Sequence, residues 1–154
     1  MFKAIRRQDR ELTTAEANDI LENGSYGVLS VSGDNGYAYG VPLSYVYTGG
    51  HIYFHCASEG QKLSCIRMNN KVTFCVVGKA IPLPDKFSME YASAIVYGEA
   101  TEVNEQEKKA VLKEFIEKYS RDYIEKGNQY IENAHHKTVV IKLHIEHITG
   151  KARK

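Results

Sequence analysis

The chain has 154 residues, enough for one domain whose core needs no disulfide or metal staple. Hydrophobic residues make up 43% and charged residues 25%, and 20 basic against 19 acidic side chains leave a net charge of +1. That balance argues against a binder that neutralises nucleic-acid phosphates, no apolar run is long enough for a bilayer span, and Met1 to Arg10 is charged throughout, without a signal-peptide core.

The first periodic segment follows Thr13 and Thr14. Thr13 with Glu16 makes a capping box, Ala17, Ile20 and Leu21 form a short apolar face, and Gly24 ends the helix. Strand signals then take over. Tyr26 to Ser32 is rich in β-formers and stops at the turn composition Gly33-Asp34-Asn35-Gly36. Tyr37 to Tyr47 reads as one long strand with Pro42 inside it, which implies an edge, a bulge or a barrel corner. Thr48-Gly49-Gly50 turns the chain into a strand from His51 to Ala57. A short helix is predicted from Gln61 to Met68 with Leu63 and Ile66 inward, then a strand from Lys71 to Gly78. Lys79 to Tyr91, with Pro82 and Pro84, reads as a loop, and Ser93 to Val103 as a strand. Asn104 caps a helix to Tyr119 with a stripe of Val111, Leu112, Phe115, Ile116 and Tyr119. Ser120 to Ala134 is polar and ambiguous, and Thr138 to Ile148 alternates cleanly with Val139, Ile141, Leu143 and Ile145 on one face. The basic end, Lys151, Arg153 and Lys154, is read as a solvated terminus.

Roughly six strands that do not alternate with helices disfavour a doubly wound parallel sheet. A mainly β domain with flanking helices over residues 1–154, its antiparallel strands closed or partly closed into a barrel, buries the alternating faces. Cys56, Cys65 and Cys75 are odd in number and far apart, so a disulfide framework is not expected and a reducing cytoplasm is the natural setting.

Two stretches can carry chemistry. After the strand ending at Ala57 comes Ser58-Glu59-Gly60, then a helix opening at Gln61-Lys62. A helix N-terminus with a lysine on its first turn can hold a phosphate, although a capping Ser58 and a solvated Lys62 explain the same residues. The glycine patterns of the P-loop and of dinucleotide-binding folds are absent. The second stretch is Gly40-Val41-Pro42-Leu43-Ser44, where Gly and Pro allow close approach and leave backbone groups free for a planar heterocycle; a barrel corner is the plainer reading. His55 ends a strand beside the phosphate turn and titrates in a useful range. His135-His136 and His144-x-x-His147 do not suggest a metal, because residues three apart on a strand point to opposite faces and no cysteine pair has zinc spacing. Cys56 has no base placed beside it and is read as a small buried residue, and no hydrolase signature occurs.

The ordered set of Ile5-Arg6-Arg7-Gln8-Asp9-Arg10-Glu11, Tyr26-Gly27-Val28-Leu29-Ser30, Val41-Pro42-Leu43-Ser44-Tyr45, Ile52-Tyr53-Phe54-His55-Cys56-Ala57 with Gly60-x-Lys62, Ser88-Met89-x-Tyr91-x-Ser93-x-Ile95-x-Tyr97-Gly98 and Ile145 to Lys151 resembles the pyridoxamine 5′-phosphate oxidase-like split-barrel family, in its nitroimidazole-resistance branch. The resemblance implies a six-stranded antiparallel split barrel and a homodimer with FMN at the subunit interface. By the same resemblance Ser58 and Lys62 lie at the phosphate, Val41, Pro42, Leu43 and Ser44 lie along the isoalloxazine, and Cys56, Ala57 and Leu63 flank the cofactor. His55 is then the catalytic candidate, and Ser93 acts from the partner subunit. Cys56 departs from the family, where many relatives have serine. The leading expectation is an FMN-dependent oxidoreductase acting on a small molecule of the nitro-aromatic kind. A non-catalytic FMN carrier or sensor, and a related barrel that binds haem or pyridoxal phosphate, stay open.

Overall fold

The computed structural model describes residues Met1–Lys154. A single 3-10 turn at Gln8–Arg10 leads into β1 (Glu11–Leu12) and α1 (Thr14–Asn23). The predicted capping box is present: the Thr13 Oγ1 accepts from the Glu16 N–H at 3.3 Å, and the Glu16 carboxylate accepts from the Thr13 N–H at 2.9 Å. The chain continues through β2 (Gly27–Ser32), β3 (Ala38–Leu43), β4 (Val46–Thr48), β5 (His51–Ala57), α2 (Gln61–Met68), β6 (Lys71–Leu83), β7 (Ser88–Glu102), α3 (Glu105–Tyr119), α4 (Ile124–Ala134) and β8 (Thr138–Arg153). No helix is long and apolar enough to cross a membrane, and the three cysteines are free.

All strands belong to one antiparallel sheet of order β3-β2-β6-β7-β8-β5-β4, with β1 added to β8. Six of the eight strands are long; β1 and β4 have only two and three residues and were not separable in the sequence. The edges of the sheet, β3 and β4, are joined through Ser44–Tyr45, and no ladder closes between them. The inward faces of β2, β5, β6, β7 and β8 nonetheless meet in one core, which includes Leu29, Phe54, Phe74, Val96 and Leu143 and is plugged by Ala17 and Leu21 of α1. The sheet is therefore curled around its own core, with an unsealed seam at β3/β4. A second, smaller core lies outside β5 and β8, where Val111, Leu112 and Phe115 of α3 and Ile131 of α4 cover Tyr53 and Val140.

Four sequence expectations are corrected. The strand expected from Tyr37 to Tyr47 breaks at Ser44–Tyr45, because the Tyr45 side chain turns fully into the core and side chains of α3 take its backbone groups. The segment read as a loop, Lys79 to Tyr91, is the hairpin arm of β6 and β7, with a single 3-10 turn at Pro84–Lys86. Pro82 is tolerated because this end of β6 pairs only with β7, so no ladder asks for its missing N–H. The C-terminal Lys151, Ala152 and Arg153 are strand, paired to Ser93, Ala92 and Tyr91 of β7. Finally, a register shift between Tyr97 and Gly98 inserts an extra residue into β8, so that Glu99 faces His144 while Tyr97 faces His147. This β-bulge puts His144 and His147 on the same face despite their spacing of three. Their rings still separate: His144 leans on His51 with centroids 5.2 Å apart, and His147 stacks on Phe2 at 4.5 Å.

Candidate functional site

The turn after β5 is built as an anion cradle. Gly60, at φ +134, holds the N-cap position of α2, and no side chain caps the helix. Ser58 is exposed and does not cap, so the structural explanation of that serine fails. The first-turn N–H groups of Gln61, Lys62 and Leu63 thus keep their donors unused. A Cβ built on Gly60 would meet nothing within 4 Å, so its backbone is open to approach. Lys62 is half-buried on this turn and makes no ion pair within the chain. Uncapped donors, the positive end of the helix dipole and one unneutralised ammonium fit a phosphate group.

His55 stands beside this turn. Period-two alternation on β5 sends Phe54 into the main core and His55 to the outer side, against α3. Its ring meets Phe115 edge-on, with centroids 4.8 Å apart and planes at 73°. Burial, helped by the Lys62 charge, holds the His55 pKa below its usual value. Its imidazole is therefore neutral near pH 7 and can accept a proton at one nitrogen while donating at the other.

Helix α3 ties His55 to the end of β3. Phe115 stacks on Tyr119 at 5.9 Å. The Tyr119 hydroxyl accepts from the Tyr45 N–H at 3.1 Å and lies 2.8 Å from the Ser25 carbonyl. The Lys118 ammonium donates to the Tyr45 carbonyl at 3.0 Å, and the one Tyr119 proton has two acceptors within reach, the Tyr45 carbonyl at 2.7 Å and the Ser25 carbonyl at 2.8 Å. Lys118 further sits 4.1 Å from the centroid of the Tyr45 ring, and the buried Tyr45 hydroxyl donates to the Leu21 carbonyl. These contacts fix the backbone just after the candidate strand. That strand, β3, pairs only with β2, so its other edge keeps free N–H and C=O groups, as the Gly40–Ser44 composition implies.

The His55 ring and the Tyr45 backbone that follows Ser44 thus both lean on α3, Lys62 stands on the first turn of α2, and Ala57 is exposed. Other sequence candidates are placed differently. Val41 and Leu43 alternate inward and pack against the main core, so only their backbone is available to a ligand, while Pro42 faces out. The Leu63 side chain is fully buried in the core, so its N–H is the part open to a ligand. Cys56 also packs on the core, and burial pushes its thiol pKa up, away from the reactive thiolate. Ser93 lies on the outer face of β7, opposite Val77 and Lys151, and is not brought to His55 within one chain. What sequence reasoning missed is a cavity of about 340 Å³ bounded by His55, Cys56 and Ala57 on one side and by α3, α4 and the turn His135–Lys137 on the other. The α3 stripe was legible, but its pairing with an ambiguous second helix was not.

Among solved structures, a candidate 5-nitroimidazole antibiotic resistance protein from Bacteroides thetaiotaomicron is similar at TM-score 0.75 and 20% identity, covering 92% of this chain and 85% of that one. A conserved hypothetical protein from Mycobacterium tuberculosis gives TM-score 0.82 at 18% identity, over 97% and 90% of the chains. A FAD-binding protein from Mesorhizobium loti gives 0.67 at 22% identity, over 94% and 98%. At these identities the likeness establishes the fold. No curated protein matches the chain. The sequence pattern of the family described as pyridoxamine 5′-phosphate oxidase, however, matches residues 13–152. Together with the fold, that match over nearly the whole chain places the protein in the pyridoxamine 5′-phosphate oxidase-like family.

Proposed function

We propose that this protein binds FMN and acts as a flavin-dependent oxidoreductase on a small molecule. The observation that carries the reading is the uncapped first turn of α2, with an unpaired Lys62 beside a neutral His55. One phosphate monoester matches one such turn, and a relative of the same fold is a FAD-binding protein. The flavin supplies the redox chemistry when bound; the chain holds, orients and shields it. Lys62 and the N–H groups of α2 hold the phosphate, the free edge of β3 from Val41 to Ser44 lines the ring system, and His55 exchanges a proton with the substrate. Phe115 keeps the His55 ring edge-on, and Tyr119 fixes the Tyr45 backbone next to Ser44.

The working unit we propose is a homodimer whose six long strands form the family's split barrel. The outer face of the sheet carries a cross-strand row of Pro42, Val28, Cys75, Ile95 and Thr149. Along the β6–β7 arm, Val77, Ile81 and Met89 are also exposed, and at its tip Phe87 is 98% exposed at φ +47. A bulky aromatic held left-handed in open solvent is costly unless something covers it. A second copy on this face would bring its Ser93 toward the first copy's flavin. Reconstitution with FMN, followed by anaerobic addition of NADH or NADPH, tests the reading. Bleaching of the flavin supports an enzyme, and an inert flavin supports a carrier or sensor instead.

A further inference from the structure

The cavity behind His55 has a chemistry of its own. At about 340 Å³ it lies at the small end of ligand pockets, the size for a molecule of one or two rings. Its walls are apolar or aromatic, including Phe115, Ile116, Tyr130 and Ile131, and no carboxylate lines it. Its ionisable lining groups, apart from the Cys56 thiol and the Tyr130 phenol, are His55, His135 and Lys137. Of these, only His135 has an acidic partner, Glu105. Glu105 is bound to Lys108 at 2.6 Å and to the His135 Nδ1 at 3.3 Å, and Glu102 is paired with Arg67 at 2.8 Å. The contact with Glu105 also orients His135, leaving its Nε2 on the opposite side of the ring. Lys137 has no acidic partner in the chain, so its ammonium is the free positive charge of the cavity.

We infer that this cavity is the substrate subsite of the proposed flavoprotein, and that it takes a small planar aromatic monoanion of the arene carboxylate class. The ring lies against Phe115 and between Ile116 and Ile131, where offset or edge-on aromatic contacts add to burial. The carboxylate lies at the mouth, beside the Lys137 ammonium. Neutral and cationic aromatics of the same shape gain the apolar contact but not the charge. The role as a substrate subsite rests on the flavin reading; the ligand class rests on the cavity alone.

The test titrates the FMN-loaded protein with benzoate, benzyl alcohol, benzylamine and cyclohexanecarboxylate, by calorimetry and by perturbation of the flavin spectrum. Benzoate is expected to bind about tenfold or more tighter than benzyl alcohol and benzylamine, as expected for one charge-assisted contact, and roughly two- to tenfold tighter than cyclohexanecarboxylate, which keeps the charge and loses only the aromatic contact. Lys137→Met should bring benzoate down to the level of benzyl alcohol and leave benzyl alcohol unchanged, and Tyr130→Ala, at an exposed site, should weaken both. Equal affinities for benzoate, benzyl alcohol and benzylamine, or no effect of Lys137→Met, would overturn the assignment. So would competition between benzoate and FMN, which would make the cavity part of the flavin's own site. If the protein takes up no flavin, calorimetry on the same protein still scores the cavity, and it is the flavin reading that fails.

Discussion

Replacing Lys62 by alanine separates a phosphate contact from a structural one. In the folded chain the Lys62 ammonium has neither an ion-pair partner nor a hydrogen bond, and the helix turn that carries it is anchored by the buried Leu63, Cys65 and Ile66. Removing the charge should therefore leave stability without flavin within about 0.5 kcal/mol, as for an ordinary surface substitution. FMN carries roughly one and a half to two negative charges on its phosphate near pH 7. A hydrogen bond to a charged group contributes about 1.5–3 kcal/mol, so Lys62→Ala should weaken FMN roughly ten- to a hundredfold or more. The uncapped N–H groups of α2 remain, so binding should not vanish. Riboflavin, which lacks the phosphate, should bind the wild type poorly and respond little to the substitution. Titrating both flavins into both proteins by fluorescence quenching gives the four affinities. Equal losses for FMN and riboflavin, or a large fall in melting temperature without ligand, would refute the reasoning and send the search for the phosphate elsewhere.

Other expectations follow from the same contacts. His55→Gln should slow flavin turnover more than it weakens FMN; if neither changes, His55 is structural. Because the Lys62 charge helps to depress the His55 pKa, Lys62→Met should let that pKa rise, as followed by proton NMR; an unmoved titration removes the claimed proximity. A folded pKa below the unfolded one means that the unfolded chain takes up the proton first as pH falls. The neutral His55 therefore stabilises fully above about pH 6.5 and progressively less below it, and His55→Gln should flatten that part of the stability curve in denaturant titrations. Gly98→Ala should cost about 3 kcal/mol or more in thermal unfolding, because the new Cβ would run into the His144 carbonyl at the bulge, where neither backbone can yield. Ile95→Lys, on the exposed outer face, should leave a folded monomer by light scattering if that face joins two copies, and should change nothing if it does not.

The helices, their caps and the strand alternation were legible because each is a local pattern. Thr13 with Glu16 and the Val111–Phe115 stripe appear where the sequence puts them. What failed depended on neighbours the sequence does not name. Pro82 looked like a strand breaker, yet that end of β6 has only one partner and the proline costs nothing there. Tyr45 looked like one more strand residue, but Tyr119 and Lys118, some 74 and 73 residues away, supply the hydrogen bonds that break the ladder. The spacing of His144 and His147 implied opposite faces until a bulge beside Gly98 added a residue. At the site, Lys62 and His55 were singled out by turn composition and resemblance, and the structure adds that α2 lacks a side-chain cap and that Phe115 of α3 meets the His55 ring. The inward direction of the Leu63 side chain was legible as the apolar face of a short helix.

The most direct test of the account is the visible absorption spectrum of the purified protein after incubation with FMN and removal of excess, with the retained cofactor extracted and identified by chromatography. The account predicts flavin bands at close to one flavin per chain, with FMN as the extracted species. Retention of FAD alone would keep the flavin and overturn the single-phosphate reading of the α2 turn. A colourless protein, or the spectrum of a haem without a flavin, would contradict the central claim.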